Sequence, residues 1–321
     1  MQKTRYSVSS RLKRTAVAVL AIVAVTAVFA PQARAGFMLG YGSDFAVLYE
    51  GGGKNALQIT NLAVTGNIGI GGTTAKATDS GSNEITGAID FAAKNTSQFS
   101  NNVNDVITGG VNYKDSEVTA ALATLNALNT SLGKEPGTAI KIGTGTGYTL
   151  TINASAGILD ANGNRVFDVT KFSTTNVETL TINGDMANDS VVLNFIGLNN
   201  VNFNNQVVLN GLGADQVLYN FVGGSNLTGG PTLTINDNGH NNPDNLVWGD
   251  FLDPNGTISV TNTNLNGRVF GGGCQVMKIV SYDTIIDPPP PHSNVVPEPS
   301  TFALLSLGLA GIAIMRKRMR T

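Results

Sequence analysis

The pentapeptide Thr-Leu-Thr-Ile-Asn occurs three times in this chain, at Thr149–Asn153, Thr179–Asn183 and Thr232–Asn236. In each copy Leu and Ile alternate with Thr, the period-two pattern of a strand with one buried face. Looser relatives stand at Val191–Phe195, Val201–Phe203, Val207–Asn210 and Val217–Phe221. The copies start 30 and 53 residues apart, so no exact short repeat is present. Short strands separated by Asn/Gly corners at uneven intervals suit a parallel β-helix of unequal coils. A β-sandwich is the alternative, because it too is built from short strands and turns. The Asn closing each pentapeptide favours the β-helix, since an inward-facing Asn at a coil corner can satisfy neighbouring backbone groups. The expected fold is therefore mainly β, an irregular parallel β-helix (solenoid) with one long α-helix packed alongside.

That helix is predicted over Ser116–Leu132. Asp115 and Ser116 supply an N-cap, and Glu117 lies in the first turn. Val118, Ala121, Leu122, Leu125, Leu128 and Leu132 recur at helical spacing, and Gly133 and Pro136 end the pattern. A helix with one apolar stripe must lie against a surface, here the β-rich remainder. A second helical segment is predicted to start at Asp90 and run through Phe91, Phe99 and Val103. Before it, Phe45–Tyr49 and Leu57–Val64 read as strands with glycine corners. The cluster Gly66, Gly69, Gly71, Gly72 has neither the Lys-Ser/Thr nor the helical pattern of a phosphate loop, which excludes nucleotide binding as its role.

Both ends carry targeting features. Lys3, Arg5, Arg11, Lys13 and Arg14 precede an apolar run from Ala16 to Ala30 and then Ala33-Arg34-Ala35, the pattern of a secretory leader cleaved before Gly36. Between Gly36 and Val295 ten basic residues face 21 acidic ones, a net charge near −11. So acidic a body repels phosphate backbones and anionic membranes, and nucleic acid is excluded as a partner. Cys274 is the only cysteine, so no internal disulfide forms; it is expected to be a small buried apolar side chain.

At the other end Val296-Pro297-Glu298-Pro299-Ser300 precedes an apolar run, Phe302–Met315, and the basic residues Arg316, Lys317, Arg318 and Arg320. As a helix the run would be roughly 21 Å long against a hydrocarbon core of about 30 Å, a marginal span. The order and the Pro-Glu-Pro triplet resemble the PEP-CTERM sorting signal. The resemblance implies an exosortase-type membrane protease as partner, transient membrane contact through Phe302–Met315, and a cell that makes exopolysaccharide. Four segments follow: a leader (1–35), a β-rich domain (36–286), a Pro-rich linker (287–295) and the sorting signal (296–321).

The body also carries family motifs. Asp44–Leu48, Gly66–Gly72, Asn226–Gly230, Phe251–Gly256 and Asn266–Gly272 are similar to those of the choice-of-anchor A domain, an extracellular module attached to varied anchors. Short strands, a long helix and strand repeats ending in Asn-Gly-Arg-Val-Phe-Gly-Gly also resemble the ice-binding adhesin fold, a β-helix with a helix alongside. The sequence lacks the regular Thr-x-Thr ladder of a flat ice-binding face, so ice binding is not expected.

Catalytic chemistry finds little to work with. His240 and His292 sit near no nucleophile elbow, and Cys274 has no protease signature. Asp250 and Asp253 could serve as a glycosidase pair, although Asp253-Pro254-Asn255-Gly256 reads more simply as a turn. Asp160-Ala161-Asn162-Gly163-Asn164 with Asp168 opens like a calcium loop, but its glycine is misplaced and Lys171 stands where a Glu belongs, so a β-turn is the better reading. Asp237-Asn238-Gly239 with Asp244 raises the same question. No catalytic residue, metal or cofactor is therefore expected. The reading is an exported surface- or matrix-associated structural or adhesion protein, with exopolysaccharide as a candidate partner; an extracellular carbohydrate-active enzyme is the alternative.

Overall fold

The computed structural model describes residues 37–51, 56–93, 98–99, 102–174, 178–185, 189–223, 232–237, 239, 242, 244–273 and 276–288. The leader, the sorting motif, His240, His292 and Cys274 lie outside them. Three faces of parallel sheet are visited in turn, except that Thr138–Gly143 and Asn164–Ser173 of the first lead to Thr151–Asn153 and Thr179–Asn183 of the third with no described strand of the second between. Phe45–Tyr49 lies in the first, Ala56–Thr60 in the second and Ala63–Thr65 in the third, and Asn67–Ile70 returns to the first. Asp250–Asp253, Thr257–Thr261, Asn264–Asn266 and Val269–Gly271 repeat the circuit. Every pairing between named strands is parallel except that of Ile158–Leu159 with Asn164–Ser173. This β-helix-like winding meets the expectation and leaves no place for a sandwich, whose sheets are antiparallel.

Stacking in register puts like residues on like. Phe195 pairs with Phe221 and Tyr219 with Phe251, and their rings stack at 4.6 and 4.4 Å between centroids. Inside, Phe167, Leu193, Tyr219, Phe251, Val269, Val47, Ile68 and Ile89 form one continuous apolar column through the first sheet. All of them are buried.

The winding is interrupted in sequence but not in space. Phe45–Tyr49 pairs on one side with Asn67–Ile70 and on the other with Val269–Gly271, so the first coil sits directly on the last. From there the N-terminal coils run to one end of the sheet, at Val111–Tyr113, and the next strand, Thr138–Gly143, begins at the opposite end. The helix Ser116–Leu132 joins them. Seventeen residues make about 25 Å of helix, against about 43 Å for ten strands in line. It therefore covers a little over half of the sheet.

Its stripe is buried as predicted. Val118, Ala121, Leu125 and Leu132 pack with Val166, Val192, Leu218, Leu252, Phe270 and Leu48 on the outer side of the first sheet, joined by Phe37 and Leu39. Asp115 caps the start, its carboxylate accepting from Glu117 N at 2.7 Å. At the other end Asn194 donates to the Leu132 carbonyl at 2.8 Å, and Asn129 donates to Asn220 Oδ1 at 2.7 Å. Gly133 has ordinary right-handed backbone angles; a side chain there would strike Val222, so the glycine allows close approach rather than a left-handed turn. The cluster Gly66–Gly72 has a packing role as well. A Cβ at Gly69 would strike Leu48, and one at Gly71 would strike Leu122 of the helix.

Two expectations change, and the uneven spacing of the pentapeptides finds its reason. No helix starts at Asp90: Ile89–Phe91 is a strand, with Ile89 opposite Ile68 and Val111, because the apolar column claims it. Of the three pentapeptides, the first two stack in one sheet with Thr181 on Thr151 and Asn183 on Asn153, so their 30-residue interval is one coil. The third, Thr232–Ile235, belongs to the second face, which explains why its interval fits no repeat. Finally, the closing Asn does not face inward. Asn153, Asn183 and Asn210 lie outside, where Asn183 Nδ2 donates to Asn153 Oδ1 at 2.9 Å and Asn210 Nδ2 to Asn183 Oδ1 at 2.8 Å. The side chains bond one another across coils.

Candidate binding face

The helix covers a little over half of the first face, and the third is split into a three-stranded and a six-stranded sheet. The second is a single six-stranded sheet: Asn200–Phe203, Thr232–Ile235, Thr257–Thr261, Met277–Val280, Ala56–Thr60 and Lys76–Ser80. Its inward residues, among them Val201, Leu233, Ile258, Met277 and Leu57, are buried. Alternation then forces the intervening residues outward. One outward row reads Asn202, Thr234, Ser259, Lys278, Gln58, Thr78 across all six strands. A parallel row holds Thr261, Val280, Thr60 and Ser80, and another begins Asn200, Thr232, Thr257.

The array has a regular pitch, about 4.8 Å between rows of strands and about 6.7 Å between alternate residues along one strand. Most of its members are hydroxyls or amides. Thr60 and Ser80 hydroxyls meet at 2.8 Å, and those of Ser259 and Thr261 at 3.4 Å. Lys278, Lys76, Val280 and Ala56 interrupt the pattern. Single-strand reading misses this surface, since its hydroxyls come from segments scattered between residues 56 and 280. The local signal is nevertheless there, in Thr232-x-Thr234 and Thr257-x-Ser259-x-Thr261.

Beside the array, at the corner leading to the third face, the chain turns on buried acids. Asp283 Oδ1 accepts from Thr263 N at 2.8 Å and Asp237 Oδ1 from Gly239 N at 2.9 Å. Both side chains are buried. Burial, with a smaller contribution from the charge of Asp237, pushes Asp283 up to about 7, and burial pushes Asp237 up to about 6. Further along the corner, burial and the adjoining Asp105 carboxylate push Asp79 up to about 6.

The candidate acids of the enzyme reading are not in a cleft. Asp250 and Asp253 are wholly buried. Asp250 accepts from Arg268 N at 3.0 Å and Nη1 at 3.3 Å, and burial still pushes it up to about 7. Asp253 is raised by burial and by nearby Glu50. Neither carboxyl can reach a glycan, which removes this pair as acid and base. The loop Asp160–Asn164 is a turn: Asp160 Oδ1 accepts from Asn162 N at 2.8 Å and Asn164 N at 2.7 Å, and Oδ2 accepts from Asn164 Nδ2. Asp168 is engaged elsewhere, with Gly137 N at 3.2 Å. Among the described residues no group of three or more His, Cys, Asp or Glu could hold a metal ion. Among them, too, no helix is long and apolar enough to cross a membrane, so the described structure does not support a transmembrane assignment; the run Phe302–Met315 lies outside it.

The body is thus a parallel β-helix-like winding with a helix on one face and a polar sheet on another. Residues 35–276 match the ice-binding-like adhesive domain, and the chain belongs to that family. Residues 295–318 match the PEP-CTERM protein-sorting motif, which implies processing by an exosortase. Together they mark an exported, cell-surface protein. This match bears out the resemblance to the ice-binding adhesin fold and does not itself confirm the choice-of-anchor A name. Two solved structures are similar in fold. An ice-binding protein from the Antarctic ascomycete Antarctomyces psychrotrophicus aligns with a TM-score of 0.51 at 17% identity, over 79% of this chain and 100% of that one. An ice-binding protein from an Antarctic Flavobacteriaceae bacterium aligns with a TM-score of 0.51 at 21% identity, over 80% of this chain and 48% of that one. No curated protein matches the chain.

Proposed function

We propose that this protein is a β-solenoid adhesin, exported, sorted at its C-terminus and held at the cell surface, where its open sheet holds a neutral hydroxyl-rich polymer such as exopolysaccharide within a biofilm matrix. The observation that carries this reading is the presence in one chain of an adhesive domain and a sorting motif. The leader ends at Ala33-Arg34-Ala35 and the mature chain begins at Gly36. Val296-Pro297-Glu298-Pro299-Ser300 is the sequence read by the protease, and Phe302–Met315 presents it from the inner membrane before cleavage. A neutral polymer fits the open sheet because hydroxyls and amides exchange hydrogen bonds with sugar hydroxyls without a charge to desolvate.

Glu298→Ala should leave a longer product in the inner membrane fraction, whereas a chain ending at Val295 should be secreted and soluble. Mass spectrometry that finds Phe302–Thr321 on the surface-exposed wild-type protein would overturn sorting by cleavage.

Ice is the second reading, favoured by the rows of Thr and Ser on a regular parallel sheet. Against it stand Lys278 and Lys76, whose strongly hydrated ammonium groups break the rows. Faceting of ice crystals in a dilute solution of the protein, lost in Thr234→Tyr, would place this reading first.

A further inference from the structure

Arg268 comes from the Asn-Gly-Arg-Val-Phe-Gly-Gly stretch, and its side chain is wholly buried. Two of its contacts stay within the coils, to Asp250. The other two reach past the last strand, Thr284–Ile286: Nε pairs with Asp287 Oδ1 at 2.7 Å, and Nη2 donates to the Pro288 carbonyl at 2.8 Å. Asp287 N donates in turn to Thr65 O at 3.0 Å. The fold does not need these outer contacts to close a coil. They immobilise the residues by which the chain leaves the domain.

The place of that exit has a consequence. Thr284–Ile286 belongs to the third face, and Asp287 lies where the chain would turn toward the first. With three faces visited in rotation, the corner between third and first is the one opposite the second, the open hydroxyl sheet. Three further prolines follow at 289–291, and a proline run resists reversal of the chain because each φ is fixed.

We propose that the Asp250–Arg268–Asp287 cluster is a tether clamp that presents the open sheet away from whatever surface holds the C-terminus. The polymer is then met on the outward side, and the helix and third face lie toward the cell. This rests on the reading of the protein as C-terminally sorted and surface-held. Single cysteines, Ser259→Cys on the open sheet and Thr65→Cys beside the clamp, in a chain carrying Cys274→Ser, test it with a bulky maleimide-polyethylene glycol applied to intact producing cells. Ser259→Cys should react several-fold faster than Thr65→Cys on cells, and the two rates should converge once the protein is solubilised. Asp287→Asn, which removes the ion pair with little change of shape, should abolish the difference on cells while leaving the circular dichroism spectrum unchanged. Equal labelling of the two positions on cells would overturn the clamp while leaving the surface reading intact. An Asp287→Asn protein that keeps the wild-type ratio would remove Arg268 as its cause. Labelling of neither position would overturn the surface reading and this inference with it.

Discussion

The sheet under the helix and the open sheet are wound from the same coils, with the same parallel pairing and the same apolar filling, yet their outer sides differ completely. On the first, Val166, Val192 and Leu218 stand in register, and Leu252, Phe270 and Leu48 continue the apolar surface. On the second, the corresponding positions carry Asn202, Thr234, Ser259, Lys278, Gln58 and Thr78. The inner columns decide that a β-helix forms; the outer rows decide what each face is for. An apolar outer row must be covered, and the helix covers it. A polar outer row offers a helix nothing to bury, so the sheet stays open. The glycines agree, since Gly69 and Gly71 keep side chains out of the way on the covered sheet.

The contrast is broken most severely by putting a charge on the covered side. Leu125 is 2% exposed and packs in the cluster between helix and sheet. Leu125→Asp removes a buried Leu and strands a carboxylate, a loss of about 4 kcal/mol or more in ΔG of unfolding. The same new charge at Thr234 should cost no more than about 0.5 kcal/mol, because the side chain there points into solvent. Denaturant titrations of the two variants check this. Equal midpoints would mean that the helix is not anchored through its stripe.

Much of this difference could be read in the chain beforehand, and the reasons for the failures are physical. The helix was legible because its stripe, cap and stop are all local to residues 115–133. The strands were legible from Leu/Ile alternation, as in Thr179–Asn183. Asp90 misled because an Asp beside apolar residues looks like a cap until the column Ile68–Ile89–Val111 is known. That Asn183 faces outward follows from its alternation with the buried Leu180 and Ile182, but the ladder could not be foreseen, since its partners Asn153 and Asn210 meet it only once the coils are stacked. The open face was hidden for the same reason: rows are long-range objects, and Ser259 adjoins Lys278 and Thr234 only once coils are stacked.

A smaller effect separates the two sides of the open sheet, its outer rows and the acids at its corner. Asp283 and Asp237 have folded values of about 7 and about 6, above the ordinary 3.8. The native state thus holds these protons more tightly than the unfolded chain. Stability from this source is fully present below about pH 4 and is lost as pH rises from there through about 7, with an upper bound of about 1.4 kcal/mol for each tenfold gain in proton affinity on folding. Burial raises Asp250, Asp253 and Asp287 in the same sense, while Asp105 is lowered by its hydrogen bonds from Asp79 and Asn83 and works against them. The unfolding free energy should therefore be larger at pH 5 than at pH 7.5. Asp283→Asn keeps an acceptor for Thr263 N and removes the proton, so it should flatten that dependence. A stability that instead rises from pH 5 to pH 7.5 would show these carboxyls ionised in the native state.

The smallest change in stability should accompany the largest change in adhesion. Thr234 lies in the middle of a hydroxyl row between Asn202 and Ser259, with its backbone already paired on both sides. Replacing it with Lys removes no buried contact, so the melting temperature should stay within the range of a surface substitution, about 0.5 kcal/mol. On the face, however, a second long hydrated cation, across Ser259 from Lys278, would leave Ser259 between two ammonium groups and keep a flat polymer from reaching it or Thr257. Thr181→Lys makes the same chemical change on the third face, in register with Thr151 and Val208, and serves as the control. Co-sedimentation with exopolysaccharide from the producing cells should fall about tenfold, roughly 1.4 kcal/mol, for Thr234→Lys and stay unchanged for Thr181→Lys. An equal fall in both would mean that the polymer responds to charge on the body as a whole. A fall only in Thr181→Lys would move the binding surface to the Asn-bearing third face, and the open sheet would then need another partner.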